Sequence, residues 1–297
     1  MYHEAVLLNE SVQGLNIKPN GFYVDVTFGA GGHSKAILAL LESGKLFAFD
    51  QDADASKNIS EHQNFKLLRT NFRNIKNFLR IEGVNKIDGL LADLGVSSHQ
   101  FDVGERGFST RFDGPLDMRM NLNAEVDAKH IINYYSEEKL ANLFFEYGEF
   151  RASRKIAKTI VIARKKIPIE TTKQLIECVK HLFPERKLNQ FLAKLFQSIR
   201  IEVNDEINAL KQMLKASTEL LATGGRLSVI SYHSLEDRLV KNLIKKGNVE
   251  GELQKDFYGN QKKSFKEISK KVIVPSEQEI KQNPRARSAR LRIAEKL

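Results

Sequence analysis

Apolar residues come in short runs separated by glycine-rich, charged or helix-forming stretches, and the order of those runs carries the first inference. "GFYVDVTF" (Gly21–Phe28) is a β-rich run that leads into glycine, and "SKAILALLES" after it has the composition and length of a helix. "GKLFAFDQD" (Gly44–Asp52) and "NFKLLRTNF" (Asn64–Phe72) read as a second and a third strand. "DASKNISEH" between them starts a second helix with Asp54 as its cap, and "RNIKNFLRIEG" forms a third. "KIDGLLADLGVSS" (Lys86–Ser98) is the fourth strand. Strands alternating with helices predict a parallel sheet with right-handed crossovers.

After Ser98 the rhythm stops. "HQFDVGERGFSTRFDGPLDMRMNLN" has glycines, charges and aromatics without a period, the mark of a functional loop. From about Val126 to Arg200 the pattern is helical, through "EEKLANLFFEYGEF", "RASRKIAKTIVIARKK", "TTKQLIECVKHLF" with Thr172 as a cap, and "NQFLAKLFQSIR". A long helix, "VNDEINALKQMLKASTELL", is then ended by Gly224-Gly225, and "RLSVISYHS" (Arg226–Ser234) restores a strand. Two strand-like runs, "SFKEISKKVIV" and "SARLRIAEKL", flank "PSEQEIKQNPRAR" in the tail. The pattern describes one discontinuous α/β domain, residues 1–108 and 201–297, interrupted by a helical insertion at 109–200.

Charge adds a partner class. Lys plus Arg exceed Asp plus Glu by 47 − 37 = 10 over 297 residues. Arg151 to Arg200 hold thirteen basic and three acidic residues, 13 − 3 = 10, which equals the whole surplus. Within it Arg151, Arg154, Lys155 and Lys158 fall at i, i+3, i+4 and i+7, one helical face, with Ile156, Ile160 and Val161 on another. Arg285, Arg287 and Arg290 add a basic cluster near the end. Such blocks suit a polyanion, because phosphate neutralisation with counterion release dominates nucleic-acid affinity. A solvated lysine-rich face is the plainer alternative. Cys178 is the sole cysteine, which excludes an intramolecular disulfide. No run approaches the roughly 18 apolar residues of a membrane helix. With no signal-peptide pattern at the start, the chain reads as soluble and cytoplasmic.

The turn in "VDVTFGAGGHS" (Val24–Ser34) fails the dinucleotide fingerprint, because Ser34 stands where a third glycine belongs. Gly29 and Gly31, four and six residues after Asp25, instead resemble the first motif of Rossmann-like S-adenosylmethionine-dependent methyltransferases. Glycines let backbone approach a ligand closely, and Asp50, ending the second strand, can accept hydrogen bonds from ribose hydroxyls, with Asp52 a second candidate. Asp93 ends the fourth strand, where a doubly wound sheet places ligands, and can take a hydrogen bond from an adenine or a substrate amine. The plain alternatives are a ligand-free strand–glycine–helix turn and a capping aspartate.

"VLLNESV", "TFGAGGHS", "DLGVSS", "ERGFS", "DGPLDMRM", "YGEF", "GGRLSVISYHSLEDR" and "NPRARSARLRIAEK" together resemble the bacterial RsmH (MraW) family, in order and nearly end to end. The resemblance implies a Rossmann-like methyltransferase sheet with an inserted all-helical, RNA-recognising domain. It also implies N4-methylation of a cytidine in the decoding centre of 16S ribosomal RNA, with the small ribosomal subunit as partner. It implies S-adenosylmethionine contacts at Gly31, Gly32, His33, Asp50, Phe72, Asp93 and Gln100. Ala30 and His99 depart from the family's commoner arginine and proline, and "YGEF" from a more acidic ending.

A cytosine amine is a poor nucleophile, since its lone pair is delocalised into the ring, so an acceptor beside it is needed. The D/N-P-P-Y/F motif of many amino-methylating enzymes is replaced here by "DLGV". Asp93 or a nearby backbone carbonyl is then the expected acceptor, and Tyr232, Phe108 or Phe112 the expected stacker of the base. "SYHSLEDR" invites a Ser/His/Asp hydrolase reading but lacks a G-x-S-x-G elbow, and a wall on the substrate side with Asp237 or Glu236 as a helix cap fits better. No metal-ligand spacing is found, and none is needed. A nicotinamide dehydrogenase, a non-catalytic RNA-binding assembly factor and a methyltransferase of another nucleic acid remain as rival functions. A homodimer is compatible with the sequence.

Overall fold

The computed structural model describes residues 5–58, 62–253, 258–259, 261, 263–269 and 271–297. In chain order its elements are α1 (Leu8–Gly14), β1 (Phe22–Asp25), α2 (Gly32–Leu38), β2 (Lys45–Asp50), β3 (Phe65–Arg69), α3 (Ile75–Ile81) and β4 (Ile87–Asp93). There follow α4 (Ser98–Asp102), α5 (Ala128–Tyr134), α6 (Glu137–Glu146), α7 (Ser153–Arg164), α8 (Thr172–Val179) and α9 (Leu188–Asn204). The last stretch is α10 (Glu206–Leu220), β5 (Leu221–Ser231), α11 (Ser234–Lys246), β6 (Phe265–Glu267), α12 (Glu277–Gln282) and β7 (Arg290–Lys296). Two compact units result, one of Met1–Gly95 with Ile207–Leu297 and one of Val96–Glu206.

The first unit holds a single sheet in the order β3-β2-β1-β4-β5-β7-β6. Strands β1 to β5 are parallel, and β7 runs antiparallel to both its neighbours. This is the Rossmann-like doubly wound sheet that the family resemblance implies, its parallel part the one that the alternating pattern predicts. The order reverses between β1 and β4, and ligands of such sheets bind beyond the strand C-termini at that reversal. Tyr23, Leu46 and Leu91 pack with Val12 and Leu15 of the α1 region and with Ile37 and Leu38 of α2. Their neighbours Val24, Phe47, Leu90 and Ala92 pack with Ile75, Leu79, Leu214 and Val240 from α3, α10 and α11. Alternate residues of one strand thus feed opposite faces, which is why the strands read as unbroken apolar runs.

The second unit is helical around its own core, with Ile131, Leu140, Phe144, Ile156, Ile160, Leu175, Leu195 and Ile199 buried together. Phe108, Leu116, Met118 and Met120 of the aperiodic stretch join this core. Packing there explains why the compact units divide at Gly95 and Glu206 rather than at 108 and 200. Helix α9 also runs without a break through Arg200. Asp205 then turns left-handed (φ 50) and starts α10, so the single long helix from Val203 is in fact two.

Other local expectations are corrected. "DASKNISEH" forms only a 3₁₀ turn over Ala53–Asn58, and residues 59–61 lie outside the described residues. Asp54 is not its cap: its amide donates to Asp52 Oδ1 at 3.0 Å. Thr171, not Thr172, caps α8 through a reciprocal pair with Gln174, while the Thr172 hydroxyl donates to the Phe112 carbonyl at 2.9 Å. Helix α10 stops at Leu220, and Gly224-Gly225 falls inside β5, where its register with β4 shifts between Ile87 and Gly89. The tail supplies β6 and β7 as expected, with α12 between them. No helix among the described residues is long and apolar enough to cross a membrane.

Candidate active site

Five strand ends of the first unit build the site. Asp25, fully buried at the end of β1, accepts the Ser34 hydroxyl on Oδ2 at 2.7 Å and the Thr27 amide on Oδ1 at 3.0 Å. It thereby fastens the glycine turn to both β1 and the start of α2. The Thr27 hydroxyl oxygen in turn accepts the Asp93 amide at 2.6 Å, tying the turn to β4. Gly29 and Gly31 take left-handed conformations, φ 52 and 79, which glycine adopts without a Cβ penalty. A Cβ on Gly29 would meet only the Thr27 carbonyl, 4.0 Å away, so the backbone there is bare and its outer side open.

Asp50, at the tip of β2, accepts the Gly29 amide on one oxygen and the Asp52 amide on the other, both at 2.8 Å. Burial raises its carboxyl to about 6, and these two hydrogen bonds oppose that rise without cancelling it. Each oxygen keeps acceptor capacity beyond its one backbone partner. Phe72 lies in a 3₁₀ turn after β3, half-buried against the sheet core. Asn71 caps that turn and donates to Gln51 Oε1 at 2.8 Å, which draws Phe72 toward the residue after Asp50.

Asp93, at the end of β4, accepts the Tyr232 hydroxyl on Oδ1 at 2.8 Å. Its Oδ2 lies 3.9 Å from His33 Nδ1. Burial raises its carboxyl to about 6, and the nearby imidazole of His33 and the Tyr232 bond oppose that rise. Tyr232 follows β5, and burial with the neighbouring Asp93 pushes its phenol well above the usual range. His33 is buried and its Nε2 lies 3.2 Å from the Val6 carbonyl. A carbonyl only accepts, so Nε2 carries the proton. A carboxyl raised into the neutral range beside a hydroxyl and an imidazole can take up a proton near physiological pH.

The residues expected from sequence do not all fall together. Gly31, Gly32, His33, Asp50, Phe72, Asp93 and Tyr232 belong to the first unit, whereas Gln100 belongs to the second. Gln100 Oε1 accepts the Ser97 amide at 3.1 Å in the capping box that starts α4. Phe108 is a core residue of the second unit, with Arg106 over its ring, so it drops out as a base stacker; Phe112 stays exposed. In "SYHSLEDR" the cap of α11 is His233, answered by Glu236, whose Oε2 accepts the Tyr232 amide at 2.9 Å. Asp237 is no cap. Burial works against its charge, but Arg292 and then Arg290 outweigh it and hold the carboxyl below the usual range. Arg290 is therefore engaged with Asp237, while Arg285 and Arg287 are exposed beside it. Arg151, Arg154, Lys155 and Lys158 are all exposed in the second unit, the last three on α7, with Ile156 and Ile160 buried on its other side.

A family model described as the MraW methylase family matches residues 1–297. The chain belongs to this family. A protein of Bacteroides thetaiotaomicron named ribosomal RNA small subunit methyltransferase H is 57% identical over 99% of this chain and 97% of the relative. One of Flavobacterium johnsoniae with the same name is 57% identical over 100% of this chain and 98% of the relative. An rRNA methylase structure from Streptococcus thermophilus has 14% identity and a TM-score of 0.39, covering 98% of this chain and 93% of that one.

The MraW methylases depend on S-adenosylmethionine. The cradle fits that donor on two counts, the open side of Gly29 and the spare acceptor capacity of Asp50. The sequence points to the carboxylates at the strand tips and to Glu236 as a cap, but not to Thr27 and Ser34, which fasten the turn, or to the Val6 carbonyl, which meets His33. Small polar residues flanking a glycine turn are the local signal for the first two.

Proposed function

We propose that the chain transfers a methyl group from S-adenosylmethionine to N4 of a cytidine in the decoding centre of small-subunit ribosomal RNA. The observation that carries this reading is the Asp93–Tyr232 pair beside a bare glycine turn, in a chain 57% identical end to end to proteins named for that ribosomal RNA. S-adenosylmethionine supplies a methyl carbon made electrophilic by a sulfonium. Gly29 and Gly31 leave backbone bare for it, Asp50 accepts its ribose hydroxyls, and His33 and Phe72 wall it in, with Gly32 a contact that the family resemblance adds. The family resemblance adds Gln100 as a further donor contact.

Asp93 faces the substrate amine. It accepts one N–H of the amine, which returns lone-pair density to N4, and keeps that proton once the new N–C bond has formed and the methyl–sulfur bond has broken, the donor's sulfur leaving as a neutral thioether. Tyr232 holds the carboxylate in line through its hydroxyl, and its ring is the expected face for the unstacked base. Arg151, Arg154, Lys155 and Lys158, with Arg285, Arg287 and Arg290, hold RNA phosphates, and the segment 109–200 is the RNA-recognition domain.

Purified small subunits lacking the modification, incubated with the chain and labelled donor, should yield N4-methylcytidine at one position in nucleoside mapping. Donor binding without transfer to any subunit or free RNA would favour a non-catalytic assembly factor. Label in other nucleosides would overturn the N4 assignment.

A further inference from the structure

We propose that the segment Ala5–Leu7, latched by Glu279 of the tail, is a clamp that positions His33 and the glycine turn, with Glu279 as its positioning residue. The proposal rests on the reading of that turn as the donor site. Val6 and Leu7 are buried although they belong to no strand. Leu7 is the N-cap of α1 and sits at φ 50, ψ 37, a left-handed conformation that leucine holds only when surrounding contacts impose it. Its side chain offers no cap. Its amide instead donates to Glu279 Oε1 at 2.8 Å, across 272 residues of sequence. Glu279 stands in the first turn of α12.

The inner side of the same segment meets the donor turn twice. The Val6 carbonyl takes Nε2 of His33 at 3.2 Å, and the Ala5 Cβ lies only 2.9 Å from where a Cβ on Gly32 would stand. Gly32 is thus bare because Ala5 occupies the space beside it. Val6 and Leu7 also share an apolar cluster with Leu291 and Ile293 of β7, against which Tyr232 packs. The contacts run from Glu279 through Leu7 and Val6 to His33, and from His33 to Asp93. The Val6 carbonyl fixes which imidazole nitrogen carries the proton, and so leaves Nδ1 toward Asp93. The α12 helix therefore acts on the methyl-donor site without touching it.

The test compares the full-length wild type with E279A, E279Q and, should E279A fold poorly, E279D, whose carboxylate is one methylene short. Hydrogen exchange reads the latch with no donor present, and calorimetric titration with S-adenosylmethionine reads its consequence. E279A should raise amide exchange at residues 5–8 and 31–34 by about tenfold while β2 and β3 keep their protection. It should weaken donor binding by about tenfold, the effect of one lost hydrogen bond to a charged acceptor. E279Q keeps an acceptor oxygen and should bind within about twofold of wild type. Unchanged exchange in E279A overturns the latch whether or not the wild type binds the donor. Equal weakening in E279Q and E279A also overturns it, because charge rather than the accepted amide would then be the cause. A wild type that holds residues 5–8 and 31–34 protected but binds no donor strikes at the reading of the site, and leaves the exchange result to decide the latch.

Discussion

Tyr232 donates its hydroxyl to Asp93 Oδ1 at 2.8 Å, joining the residue after β5 to the tip of β4 across 139 residues of sequence. Asp93 ends one of the two strands between which the sheet order reverses, and its second carboxylate oxygen faces His33. Asp93→Asn tests both halves of this arrangement. An asparagine still accepts the phenol through Oδ1, and its amide lies on the side of His33 Nδ1. What it cannot do is take a proton. Methyl transfer should fall by roughly 100-fold or more, the ordinary worth of a positioned base.

Stability should move the other way. The Asp93 carboxyl lies near 6 in the folded chain against 3.8 ordinarily. Between those values the folded state holds a proton that the unfolded chain has released, so stability falls as pH rises through that window. The loss is complete above about pH 6 and amounts to at most about 3 kcal/mol. Asp93→Asn should therefore be more stable than wild type by roughly 1–2 kcal/mol at neutral pH, with the gain fading toward pH 4. Denaturant melts at the two pH values check this.

Tyr232→Phe separates stacking from positioning. The hydroxyl favours the charged carboxylate, so its loss should raise Asp93 further. The ascending limb of the rate profile should shift by about one pH unit to the alkaline side, with most activity regained by about pH 8. An unchanged profile would leave Tyr232 as a stacking ring and nothing more, because phenylalanine keeps the ring.

Asp50 gives donor binding a pH dependence of its own. Ribose hydroxyls favour the ionised carboxylate, which exists for about a tenth of molecules one pH unit below its value near 6 and nine-tenths one unit above. Apparent affinity for S-adenosylmethionine should rise about tenfold from pH 5 to pH 7, as the competent fraction does. Binding near pH 6 should release protons, readable by calorimetry in buffers of differing ionisation enthalpy. Proton uptake, or none, would remove Asp50 from the ribose contact.

Much of this site is legible in the sequence because its parts end strands. Asp25, Asp50 and Asp93 each follow an apolar run, and burial on both faces of the sheet makes such runs continuous and easy to read. Less legible is whatever long-range contacts decide. No local pattern announces that Tyr232 reaches Asp93, that His33 needs the Val6 carbonyl, or that Arg290 and Arg292 serve Asp237. The aperiodic loop hides its allegiance for the same reason. Its isolated Leu116, Met118 and Met120 gain meaning only from the helical core that receives them. Thr171 and Thr172 are adjacent and chemically alike, and only geometry assigns the cap.

The bareness of the glycine turn can be probed with a matched control. Gly29→Ala places a methyl where only the Thr27 carbonyl is near, so the free protein should lose only about 1–2 kcal/mol for the left-handed φ. Gly83, at φ 75 with nothing within 4 Å of where a methyl would stand, lies away from the site and carries the same backbone demand. Gly83→Ala should lose similar stability and bind the donor normally. Gly29→Ala should bind it at least tenfold more weakly, because the methyl fills space reserved for the ligand. Equal binding by both variants would show that the donor does not pass over Gly29.

The basic face of the second unit makes the remaining prediction. Arg151, Arg154, Lys155 and Lys158 are exposed, and among the described residues no ion pair engages them, so their charge is available to phosphate. Neutralising all four to Gln leaves the buried Ile156 and Ile160 side of α7 untouched. If each cation neutralises one phosphate of an unpaired strand, the slope of log affinity against log salt should flatten by up to roughly 3. Donor binding and thermal stability should hold, since surface changes of this kind stay within about 0.5 kcal/mol each. An unaltered slope would make the face merely solvated, and would move RNA contact to other basic residues, Arg285 and Arg287 of the tail among them.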